Sequence, residues 1–217
     1  MKGLLIKDLR LMKNMGNSMA VILLVAVGMS FYSSDMSFIV VYMAIIGTTL
    51  TSSTISYDEF DNGNAFLFSL PVSRKDYVLE KYLFFLLMCG GGWLLGSVVF
   101  IVAGTVRGGL APVEGLMTAL AMLPVAICLN VVLIPLRLKF EAEKSRIAQI
   151  VVMGGFFLVI VLGVKLIERL GIELDALGER MPVMSAGVGI AVILAVIVAL
   201  LLISCHISIR IMERKEF

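Results

Sequence analysis

Charged residues along this chain fall in blocks separated by long charge-free stretches. Asp, Glu, Lys and Arg are missing from 14–34, 36–57, 82–106, 115–136, 147–164 and 181–209, each at least 18 residues long. A hydrocarbon layer about 30 Å thick takes roughly 20 residues of helix. One Lys or Arg at its centre costs about 2.5–3.5 kcal/mol. The windows therefore predict an all-α integral membrane protein with six transmembrane helices, at about 16–33, 36–56, 82–106, 115–136, 147–165 and 184–209. Barrel strands are excluded, because they would alternate over about ten residues. The first window is too long and too continuous with the rest for a cleaved signal peptide, and no small-residue cleavage site follows it. The whole chain, 1–217, reads as a single transmembrane domain.

Composition agrees. The chain is 60% hydrophobic and 16% charged, against about 45–50% and about 25% in soluble domains. That excess would expose more apolar surface than water tolerates. The basic residues give the orientation. Residues 1–13, 58–81, 137–146 and 210–217 hold 14 of the 18 Lys and Arg, and the other side keeps Arg107, Lys165, Arg169 and Arg180. The positive-inside rule puts both termini in the cytoplasm. The basic bias points to anionic lipid and not to nucleic acid. Cys89, Cys128 and Cys205 all fall within spans, an odd number at wide spacing that gives neither a disulfide framework nor a metal site.

The segments between the windows hold the local signals. Residues 1–15 place Lys2, Lys7, Arg10 and Lys13 on one side of a helical wheel and most of the leucines on the other, with Asp8 the exception. This predicts an interfacial elbow helix leading into the first span. A minimal turn at Ser33–Asp35 makes the first two spans a tight hairpin. The second span ends in a hydroxyl run from Thr48 to Ser56. It reads as a packing face whose hydroxyls bond the helix backbone, or as a vestibule in which Thr51 and Ser52 line a pathway. Gly90, Gly91 and Gly92 mark close packing or a hinge in the third span. Pro124 and Pro135 should kink the fourth, where Asn130 bonds a neighbouring helix or lines a pore. The segment 137–146 is solvated or a second docking contact. The segment 165–180 reads as an amphipathic outer cap or a plain connector.

The longest inner segment, 57–81, is acidic, then aromatic, and then restarts a helix. Pro71 breaks the chain, and Ser73 with Asp76 forms a helix-start pattern. Two short helices with a proline corner follow, presenting Phe66, Phe68, Leu70 and Pro71 near water. Apolar groups rimmed by charge suggest a docking site for a soluble partner, or rings that dip into headgroups. The chain holds no GxxxxGK[ST] loop, no HExxH, a single histidine, and no acid deep in a span. This argues against ATP binding, a zinc site, and a proton or sodium relay of its own.

Lys7-Asp8-Leu9, the run Ser69-Leu70-Pro71-Val72-Ser73-Arg74-Lys75-Asp76-Tyr77 through Lys81-Tyr82, then Pro135–Phe140 and Glu143–Arg146 resemble the ABC-2 type permeases. The similarity is to the small bacterial branch that includes exporters of amphipathic cytolytic peptides (phenol-soluble modulins). It covers essentially the whole chain. It implies a type V exporter-like fold in a bacterial cell membrane, and a partner ATPase chain that holds the ATP and Mg, with no cofactor bound by this chain. A second permease copy or paralogue would complete a twelve-span pathway. It also implies that 57–81 is a coupling loop in which Glu59, Phe60, Phe66 and Arg74 contact the ATPase. The substrate would be an amphipathic peptide or another hydrophobic compound. The alternatives are a six-span substrate-binding module of the vitamin-uptake type, which also borrows an ATPase, and a membrane scaffold or immunity protein without one.

Overall fold

The computed structural model describes residues 2–14, 16–32, 36–60, 63–140, 142–169 and 186–215. Among these the elements are all helices: α1 (Lys2–Asn14), α2 (Gly16–Tyr32), α3 (Phe38–Glu59), α4 (Gly63–Ser69), α5 (Arg74–Val106), α6 (Pro112–Lys139), α7 (Ala142–Arg169) and α8 (Ala186–Arg214). Among the described residues, four stretches are long and apolar enough to cross a membrane: α3, α5, α6 and Leu194–Arg214 of α8. They coincide with the second, third, fourth and sixth charge-free windows. The first and fifth windows fall on α2 and α7. The turn at 33–35 lies outside the described residues, as does the expected outer cap beyond Arg169.

Helix α5 has 33 residues, about 50 Å at 1.5 Å per residue. That exceeds a hydrocarbon layer by several turns, so its polar first turns, 74–81, project beyond the apolar part. The corner before it is built as the sequence predicts. Ser73 is extended (φ −79°, ψ 149°) and caps α5. Its Oγ accepts from the Asp76 backbone N–H at 3.0 Å and donates to the Asp76 carboxylate at 2.7 Å. Ser73→Ala should cost about 0.5–2 kcal/mol, read as a lowered unfolding midpoint of the purified protein in detergent. An unchanged midpoint would mean that the corner is fixed by other contacts.

Helices α3 and α5 form the centre, and they meet through glycine. A Cβ at Gly47 would overlap the Met88 carbonyl oxygen, and one at Gly92 the Met43 carbonyl oxygen. Backbones can approach this closely only where side chains are absent. Gly92 is thus a packing position, and α5 runs unbroken through all three glycines. Most hydroxyls of α3 bond backwards within the helix: Thr48 to the Ile45 carbonyl at 2.6 Å, Thr49 to Ile46 at 2.7 Å and Thr54 to Thr51 at 3.0 Å; the buried Thr51 hydroxyl has no partner among the described residues. Next to Gly92, the Trp93 indole donates to the Ala119 carbonyl of α6 at 2.7 Å.

Candidate functional site

The polar ends of α1, α3, α5, α6 and α8 converge around the α4 corner and form a junction. Lys81, on the fourth residue past Tyr77 in α5, is fully buried and faces α3 and α1. Its ammonium pairs with Asp8, with Asp58 at 2.8 Å, and with the Thr54 hydroxyl at 3.1 Å. Asp8 is itself fully buried. Lys7 pairs with Asp58 and reaches Asp8 at 3.1 Å. The Tyr77 hydroxyl donates to Asp58 at 3.1 Å. Glu80 is also buried, and its carboxylate oxygens have no hydrogen-bond partner among the described residues. The nearest cation is Lys81, at 3.9 Å. Two ammonium groups thus serve three buried carboxylates, and Lys81 touches all three.

This arrangement ties three elements from distant parts of the chain. Charges stay ionised in a dry environment only when paired, so the elbow α1 cannot leave α3 and α5 without exposing or orphaning Asp8. Half-burial alone would lower the Lys7 pKa, but Asp58 and Asp8 outweigh it and hold the ammonium above its ordinary 10.5. A raised lysine pKa stabilises fully below the unfolded value. That contribution is lost only as pH rises through the higher folded value, well above the physiological range.

A second set of contacts fixes the end of α8. The Arg74 guanidinium donates to the carbonyls of Met212, Glu213 and Lys215 at 2.9, 2.8 and 2.7 Å. The last carbonyls of a helix lack their i+4 donors; here the Met212 carbonyl also accepts from a backbone N–H, that of Lys215 at 3.4 Å. A cation there also meets the negative end of the dipole. Lys215 then reaches Glu59 at 2.8 Å and the Leu138 carbonyl at 3.3 Å. Arg137 donates to Ser56 at 3.3 Å. Deeper along α5, the Tyr82 hydroxyl lies 2.5 Å from Ser204 and 2.9 Å from Ser208, and Ser204 donates to the Val131 carbonyl at 2.5 Å.

The four residues expected at a docking surface therefore divide into two pairs. Glu59 and Arg74 point inward and meet through Lys215, bracing α8. Phe60 and Phe66 are 72% and 71% exposed, on a corner whose inner side is packed by buried Asn64 and Leu67 of α4. Leu70 and Pro71 are exposed as expected, whereas Phe68 turns inward, edge-on to Tyr77 at 5.6 Å and under Arg74 at 5.8 Å. Its ring is worth more against these partners than in water. Of the expected pathway residues, Thr51 is buried inside the bundle and Ser52 is half-buried. The side chain of Asn130 lies outside the described residues. No group of three or more metal-ligating side chains occurs among the described residues.

The Asp8–Lys81–Asp58–Lys7 cluster was not assembled from sequence. Its signals were present: Asp8 was the one acid on the apolar side of α1, and Glu80-Lys81 stands at the edge of an apolar run. Which acid pairs with which lysine across 73 residues is not written locally.

The helices and this junction define a polytopic helical membrane protein with an ordered polar end. The pattern described as ABC-2 family transporter protein matches residues 3–213, and the chain belongs to that family. Its members are membrane transport components that generally work with an ATPase subunit and are not themselves catalytic. Among curated proteins and among solved structures, none matches this chain.

Proposed function

We propose that this chain is the permease subunit of an ATP-driven exporter. It has six spans with both termini cytoplasmic and lies in the plasma membrane as half of a twelve-span pathway. The observation that supports this reading beyond family membership is the α4 corner. Two aromatic rings, Phe60 and Phe66, stand in water on a segment braced from behind by the ion cluster and by Arg74. Exposed aromatics cost solvation unless a partner covers them, and aromatic anchors in a partner's pocket dominate interface energies. The partner is the ATPase: its closure pushes the corner, and the bracing passes the displacement to α1, α5 and α8. The substrate is an amphipathic peptide or another hydrophobic compound.

Replacing both Phe60 and Phe66 with Ser should abolish stimulation of the ATPase by the permease and weaken their co-purification. About 2 kcal/mol or more per anchor is roughly 30-fold or more for each ring. The unfolding midpoint of the isolated permease should stay unchanged, since neither ring is buried. Full stimulation by the double variant would remove the corner from the docking surface. Arg74→Ala, by contrast, should lower the stability of the permease itself.

A further inference from the structure

A cleft of about 500 Å³ opens between α1, α2, α3 and α5, and its lining is almost wholly apolar. Met12 closes its α1 end, Leu23 belongs to α2, Gly47 and Leu50 to α3, and Leu87 and Gly91 to α5. The cleft exists because α3 and α5 approach through glycine and offer α2 a surface without side-chain bulk. A Cβ built at Gly91 would meet nothing within 4 Å. From Leu87 to Leu95 the lining climbs about 12 Å along α5, less than half of a hydrocarbon layer about 30 Å thick. The cleft is therefore short enough to fit within one leaflet, with Met12 of the elbow helix at one end.

An empty space of this size forfeits dispersion contacts along all its walls. Water does not fill it favourably, since a buried water needs two to four polar partners. An alkyl chain meets both demands. The elbow adds charge: Arg10 and Lys13 lie within two residues of Met12, on the basic side of α1, and are exposed. The acids of α1 and of the adjoining end of α3 are already paired: Asp8 and Asp58 in the buried cluster, and Glu59 with Lys215. We propose that the cleft binds one acyl chain of an anionic phospholipid, whose headgroup phosphate sits on Arg10 and Lys13. This does not depend on the transport reading.

The test is native mass spectrometry of the full chain in mild detergent, with phosphatidylglycerol and phosphatidylcholine of identical chains. The wild-type protein should retain one phosphatidylglycerol and discriminate against phosphatidylcholine. Arg10→Gln with Lys13→Gln should still retain lipid but lose about 30-fold of that preference, at about 1 kcal/mol for each cation near the surface. Gly91→Leu, which fills the cleft, should lose both lipids, whereas Gly91→Ala should keep them. Unchanged preference in the charge variant overturns the proposal, as does full retention by Gly91→Leu. Loss of a dimer instead of a lipid in Gly91→Leu would assign the cleft to a second copy and overturn it too. If Gly91→Leu fails to fold, the charge variant decides, because both its side chains are exposed and carry no packing.

Discussion

Replacing Lys81 with Met should destabilise the protein by about 3–5 kcal/mol, the usual cost of removing one partner from a buried ion pair. The side chain has no solvent exposure, and neither has Asp8. Met fills a similar volume, so the loss is electrostatic. Lys7 can neutralise only one of the two aspartates, and Glu80 loses its nearest cation. Adding Asp8→Asn to Lys81→Met should restore a large part of the loss, because Lys7 and Asp58 then form a balanced pair. Reversible unfolding in mixed micelles measures both variants. A single variant within about 1 kcal/mol of wild type, or a double variant as unstable as the single, would show that the cluster is not paired as described. The test separates the cost of an orphaned charge from the net worth of a buried salt bridge, which is often near zero.

Gly92→Leu should be the most damaging change within the apolar part. Overpacking costs about 1–3 kcal/mol where side chains can shift, and more where they cannot. Here the obstacle is the Met43 carbonyl, followed by the Met43 carbonyl carbon and Ala44 Cα. These are backbone atoms in the second turn of α3, so relief requires moving a helix. The expected outcome is a loss at or above about 3 kcal/mol, with lower yield of folded protein from membranes. Gly90→Ala is the matched control. A Cβ at Gly90 meets nothing within 4 Å, and alanine removes the helix penalty of glycine, about 1 kcal/mol in water. Equal behaviour of the two variants would contradict the close approach of α3 and α5.

The two predictions share a feature that matters for transport. The centre of the molecule is a stiff α3–α5 pair, and its polar end is fixed to α1 by charge and to α8 by Arg74. Among the described residues, contacts beside the α4 corner tie together elements that are distant in sequence. Arg74 shows how tertiary context reassigns a residue. From sequence it stands beside Phe66 as a contact on a docking loop. In the structure its guanidinium is occupied by three carbonyls at the end of α8, and of the four expected contacts only Phe60 and Phe66 stay exposed.

The charge-free windows determined the membrane class, and the described helices at windows two, three, four and six follow from them. Solvent is the physical reason. In lipid every backbone group bonds within its own segment, so a helix is decided by its own residues and their hydropathy. The Ser73 cap and the proline corner were legible for the same reason, being closed within four residues. The tertiary structure decided what depends on partners far apart in sequence. Gly90, Gly91 and Gly92 are equivalent in sequence, yet one packs against a carbonyl while the other two meet open space. Asp8 was an exception on an amphipathic wheel until Lys81, 73 residues away, gave it a counter-ion. Helix periodicity states which side of a segment is unusual, and only the approach of another segment decides whether that side meets lipid, a backbone or a charge.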